Sequence, residues 1–170
     1  MNIALIGYRG TGKSTIGKII AECAGMALKN LDAMIAERAG MSIPGIVGRF
    51  GWEKFRDRES EVLASAAAGD NQVLDCGGGI ILREQNRVKL KAAGPVVWLT
   101  ASVPAIVARI QGDTQRPSLT GKSFTEEVEE VMIVREPLYR ACATYVIDTE
   151  AMGPEESARE IIRLVQYCPE

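Results

Sequence analysis

Residues 7 to 15 read GYRGTGKST and follow directly on a short apolar run, NIALIG. The spacing satisfies G-x-x-x-x-G-K-[ST], and an amphipathic stretch begins at Lys13. Glycines so placed let a loop wrap until its backbone N–H groups point inward, toward an anion at a helix N-terminus. Lys13 can then reach the outer phosphates, and the Ser14 hydroxyl can coordinate Mg²⁺. Gly10, Thr11, Gly12, Lys13, Ser14 and Thr15 are the expected phosphate-binding residues. The ligand this loop predicts is a nucleoside triphosphate with Mg²⁺.

A second stretch, VLDCGGG at 73–79, ends an apolar run on an acid and continues into three glycines. An acid at a strand end beside such a loop suits the metal side of the site, which makes Asp75 the candidate. Three adjacent residues without a Cβ cost conformational entropy, so something must come close to the backbone at Gly77, Gly78 and Gly79. The chain has no histidine, so imidazole acid–base chemistry is excluded. A hydroxyl nucleophile would need a carboxylate as its base.

Strands and helices have to hold these groups. NIALIG, VLDC, PVVWLT and TYVID read as buried strands, and MALKN is a weaker candidate. Helical spacing puts Ile16, Ile19, Ile20 and Cys23 on one face of a helix from Lys13 to Ala24, stopped by Gly25. Similar faces recur at Ser102–Ile110, Glu126–Ala141 and Glu155–Val165. Asp32 could serve as a helix N-cap for the stretch AMIAERAG that follows it. Strands alternating with helices predict an α/β domain with a parallel sheet. No linker or repeat divides residues 1–170, so one domain is expected, with the polar Gly- and Pro-containing segment 111–122 as a mobile lid.

Composition bounds the partners. A net charge of −2 and 5% aromatic residues disfavour nucleic-acid binding. No apolar run is long enough to span a membrane, and the N-terminus has no signal-peptide pattern. Four widely spaced cysteines, with no C-x-x-C pair and no histidine, make a zinc site improbable and fit free thiols in a reducing cytoplasm. Monomer is the default expectation.

The chain resembles the shikimate kinases from Met1 to about Asp148. The anchors are GYRGTGKST (7–15), NLDAMIAERAGMSI (30–43), GWEKFRDRE (51–59), LDCGGGI (74–80), QRPSL (115–119) and REPLY (135–139). The first is shared by many kinases, and the later ones in this order are far more specific. The resemblance implies a three-layer P-loop kinase fold with a five-stranded parallel sheet and a lid. It implies ATP-dependent phosphorylation of a hydroxyl of shikimate, giving shikimate 3-phosphate and ADP, in aromatic amino-acid biosynthesis.

It implies roles as well. Asp32 would bind the acceptor hydroxyl and act as its base. Arg56 and Arg135 would hold the substrate carboxylate, and the backbone at Gly77–Gly79 would lie against the substrate ring. Arg116 would come down from the lid onto the phosphates, and Arg109 would lie near the adenine. Paired guanidiniums suit a carboxylate because they hold it by planar, charge-assisted hydrogen bonds. Each arginine also has a plainer reading as a solvated or paired charge; Arg56 lies close to Asp57 and Glu59 in the sequence. Phe55 reads as core or pocket wall.

Three departures stand out. The family usually has Asp-x-Asp where this chain has Asn30-Leu31-Asp32, so a charge beside the metal is missing. Many relatives have a non-acidic residue where this chain has Asp75, which could replace that charge. Ala36 stands where the family often has Glu. Two other readings stay open: a kinase for another small hydroxy acid such as gluconate, and a nucleotide-binding module without catalysis.

Overall fold

The computed structural model describes residues 1–111 and 122–166. The expected lid at 111–122, with Arg116, falls almost wholly outside the described residues, as does Cys168. Five strands form one sheet: β1 (Ile3–Ile6), β2 (Ala27–Asn30), β3 (Gln72–Asp75), β4 (Val96–Thr100) and β5 (Tyr145–Asp148). Their order is β2-β3-β1-β4-β5, and all four pairings are parallel. The expected parallel α/β sheet is therefore present, and MALKN supplies its edge strand β2.

Parallel strands need crossover helices, and here these cover both faces of the sheet. Alternation along β1 makes the division. Ile3 and Leu5 pack with Ile16 and Ile20 of α1 (Lys13–Ala24) and with Ala158 and Ile161 of α7 (Pro154–Gln166). Ala4 and Ile6 turn the other way. They join the cluster built from α2 (Leu31–Ala39), α3 (Ile43–Ala67), α4 (Glu84–Ala93) and α6 (Phe124–Cys142). α5 (Val103–Ile110) packs Ile106 and Ile110 against Tyr8 and Val128, beside the phosphate loop.

Two helices were not marked by periodicity. α3 is interrupted at Gly51, whose φ of 85° and ψ of 168° break the helical repeat, so its apolar residues fall out of phase. α4 is polar, and its buried residues are Asn86 and Leu90. The N-cap of α2 also differs from expectation. Asn30 caps it, accepting a hydrogen bond from the Ala33 N–H at 2.8 Å, and Asp32 lies inside the first turn. The capping role is thus Asn30's and not Asp32's.

β1 lies at the centre of the sheet, and the chain leaves it in one direction to β2 and later reaches β4 on the other side. Ligands of open parallel sheets bind at the carboxyl ends of strands around such a switch point. The phosphate loop follows β1, and Asp75 with the three glycines follows β3.

Candidate active site

At those strand ends lies a cavity of about 650 Å³. Gly10, Gly12, Lys13, Ser14 and Thr15 line it from the phosphate loop, Asn30 and Asp32 from the start of α2, and Asp75, Gly77 and Gly78 from β3 and its loop. Gly10 and Gly12 have φ of 81° and 95°, a left-handed conformation that L side chains rarely adopt. The Lys13 ammonium is held over the loop by the carbonyls of Gly7 and Tyr8, at 2.8 and 2.9 Å. Thr11 braces the loop from behind: its hydroxyl donates to the Tyr8 carbonyl at 2.7 Å, and its side chain is buried outside this cavity.

Asp75 is a junction. One carboxylate oxygen, Oδ2, accepts from the Ser14 hydroxyl at 2.6 Å and from the Asn30 amide at 2.9 Å. Burial pushes its carboxyl above the usual range, while those two hydrogen bonds and the Lys13 charge pull against that shift. Cys76, next along, also lines the cavity, but burial raises its thiol well above the ordinary value and leaves it a poor nucleophile.

The glycine run also has close neighbours within the protein. A Cβ at Gly79 would stand on the Arg56 guanidinium, and one at Gly78 would lie 3.4 Å from Arg135 Nη1. Among the protein's own groups, it is two arginines that come close here. Both arginines are buried, 8% and 7% exposed, and lie beside the glycine run rather than in the cavity lining itself. At Gly79 the missing side chain makes room for Arg56.

Two residues that sequence reasoning did not assign hold these groups from behind the cavity lining. Glu59, fully buried, accepts from Arg56 Nη1 at 2.9 Å and so aims the guanidinium. The signal was available, since Arg56 and Glu59 are three apart on a helix. Tyr139, four residues after Arg135 on α6, donates its hydroxyl to the Gly78 carbonyl and stacks on Trp98 with ring centroids 5.7 Å apart. Phe55 is core, wholly buried and edge-on to Trp52. Arg109 is not in the cavity wall: it donates to the Gly10 carbonyl at 3.0 Å from the outer side of the loop, and to Thr149. Ala36 lines the cavity, and nothing in the structure explains its replacement of an acid.

The profile of the shikimate kinases matches residues 9–166. The chain belongs to the shikimate kinase family. It is 41% identical over 165 residues to the shikimate kinase of Geobacter sulfurreducens, covering 97% of this chain and 91% of that protein. With the shikimate kinase of Nitratidesulfovibrio vulgaris it shares 43% identity over 152 residues, 88% and 87% of the two chains. Among solved structures, the fold is similar to shikimate kinase from Acinetobacter baumannii in complex with shikimate. That match has a TM-score of 0.93 at 34% identity, covering 97% of this chain and 92% of that one. The Aquifex aeolicus shikimate kinase superposes with a TM-score of 0.85 at 28% identity, over 98% and 96%. The five-stranded P-loop kinase fold is thus that of the shikimate kinases. The chain's activity is ATP-dependent phosphorylation of a hydroxyl of shikimate.

Proposed function

We propose that the phosphoryl transfer to shikimate is divided between the two walls of this one cavity. Lys13 and the N–H groups of the loop at Gly10, Gly12, Ser14 and Thr15 neutralise the phosphates of ATP, with Arg116 added on the strength of the family resemblance. Arg109, on the outer side of the loop, borders the adenine. Opposite them, Asp32 accepts the proton of the acceptor hydroxyl. Arg56 and Arg135 take the shikimate carboxylate, and Gly77–Gly79 form the platform they share. The observation that carries this reading is that Lys13 and Asp32, 19 positions apart in the sequence, line the same cavity. A phosphoryl group held by the first lies toward a hydroxyl held by the second. Catalysis then rests on positioning and on neutralising charge, as this reaction class requires.

Mg²⁺ fits the donor set. A serine hydroxyl has one proton and two lone pairs. Ser14 donates its O–H to Asp75 in a hydrogen bond, which leaves its oxygen lone pairs for a hard cation. Ser14 would hold the ion, with Asp75 and Asn30 beside it. Bound there, Mg²⁺ would neutralise charge on the β- and γ-phosphate oxygens.

We further infer that the chain works as a monomer in the cytoplasm, without nucleic-acid or membrane partners. The net charge of −2 supports this, as do free thiols at Cys23, Cys76 and Cys142. Among the described residues no helix is long and apolar enough to cross a membrane. The test is ADP release from ATP with shikimate, with gluconate in parallel, with Mg²⁺ and in excess chelator. Turnover that requires both shikimate and Mg²⁺ is expected. ATP binding without turnover would leave a nucleotide-binding module.

A further inference from the structure

Residues 30 and 75 are register partners: β2 and β3 run parallel, and Asn30 lies directly beside Asp75. The Asn30 amide is used at both ends. Its carbonyl accepts from the Ala33 N–H and caps α2, the helix that carries Asp32 in its first turn. Its NH₂ donates to the same Asp75 oxygen that accepts from Ser14. A continuous chain of hydrogen bonds therefore runs from the phosphate loop through Asp75 and Asn30 to the helix of the proposed base.

The chemistry of this chain allows one carboxylate at the junction. An aspartate at position 30 could still cap α2, since a carboxylate accepts as well as an amide does. Its second oxygen would then face Asp75 at hydrogen-bonding distance with no proton between them, and two like charges would repel. With an amide at position 75, turned so that its NH₂ faces residue 30 and its oxygen faces Ser14 in place of the single Asp75 oxygen that now serves both, the same aspartate would meet a donor instead of a like charge. The identity of either residue thus dictates the other.

We propose that Asn30 and Asp75 form a transposable acid–amide pair, in which Asp75 supplies the negative charge beside the Ser14 cation site and Asn30 is a positioning residue. Asn30 orients that charge and fixes the start of the Asp32 helix. The proposal rests on the Mg²⁺ reading above for the role of the charge, and on register and hydrogen bonding alone for the coupling of the pair.

The test is a double-mutant cycle of Asp75→Asn, Asn30→Asp and the combined reversal, with two readouts. The first is the ratio of ADP affinity with Mg²⁺ to that in chelator, by calorimetry. The second is the melting temperature without nucleotide or metal. D75N should lower the Mg²⁺ enhancement about tenfold or more, the scale of losing a charge-assisted contact, while ADP still binds in chelator. N30D alone should lower the melting temperature. The reversal should regain the melting temperature and bring the Mg²⁺ enhancement to within about threefold of the parent, the usual spread for a preserved interaction.

Additive melting shifts would overturn the coupling of the pair. A reversal as insensitive to Mg²⁺ as D75N would overturn the transposition. Undiminished enhancement in D75N would overturn the role of Asp75. If the parent protein itself bound ADP equally with and without Mg²⁺, the metal reading would fall and the charge role with it, while the melting cycle would still decide the coupling.

Discussion

The two walls of the cavity are built in opposite ways. The phosphate side is one contiguous segment, residues 7–15, whose backbone does most of the work and whose side chains fold back on it. Thr11 and Lys13 both bond to carbonyls of the loop itself. The acceptor side is assembled from α2, α3, the loop after β3 and α6, and its charged groups are held by other side chains. Arg56 is aimed by Glu59, and Gly78 is tied down by Tyr139. A locally built site depends on few tertiary contacts, whereas an assembled one depends on every element that packs behind it. Damage to the first wall should therefore appear in the chemistry, and damage to the second in acceptor affinity.

The strongest way to break this contrast is Lys13→Met. Removing a preorganised cation from the transferred group should lower kcat about 100- to 1000-fold, with the shikimate KM little changed. A mainly shikimate-side effect in steady-state kinetics would show that the walls are not separable. Gly79→Ala comes next. Its Cβ would displace the Arg56 guanidinium, so the shikimate KM should rise about 10- to 100-fold, the worth of a charged hydrogen bond, while ATP affinity holds. Equal losses for both substrates would point to a folding defect instead.

Tyr139→Phe is the smallest and sharpest. It removes one hydrogen bond to the glycine platform, worth about 1 kcal/mol, and should lower the melting temperature by about 2–4 °C. If α6 positions the acceptor wall, the shikimate KM should also rise a few-fold. An unmoved KM would confine Tyr139 to stability.

The elements around the phosphate loop were legible because their signals are short-range. A strand, a glycine loop and an amphipathic helix lie within residues 3–24, and periodicity and backbone freedom mark each of them. α3 and α4 were not legible: Gly51 interrupts one repeat, and the other helix is mostly polar. Asp32 could be read as a cap because capping prefers Asp and Asn alike, and Asn30 two residues earlier takes the role. The structure bears on the Asn30–Asp75 exchange through a register 45 residues apart in sequence, which no local pattern reports.

By itself the sequence determined the parallel α/β class, the phosphate loop and, through the order of its motifs, the shikimate kinase family. All of these reside in contiguous runs whose residue types constrain the backbone directly. Only the tertiary structure decided that Gly79 makes room for Arg56, that Tyr139 anchors Gly78, and that Ser14 and Asn30 share one oxygen of Asp75. Those facts depend on which side chains meet after the sheet has closed and the helices have packed. Neighbours in space are set by the whole fold, and spacing along the chain carries no record of them.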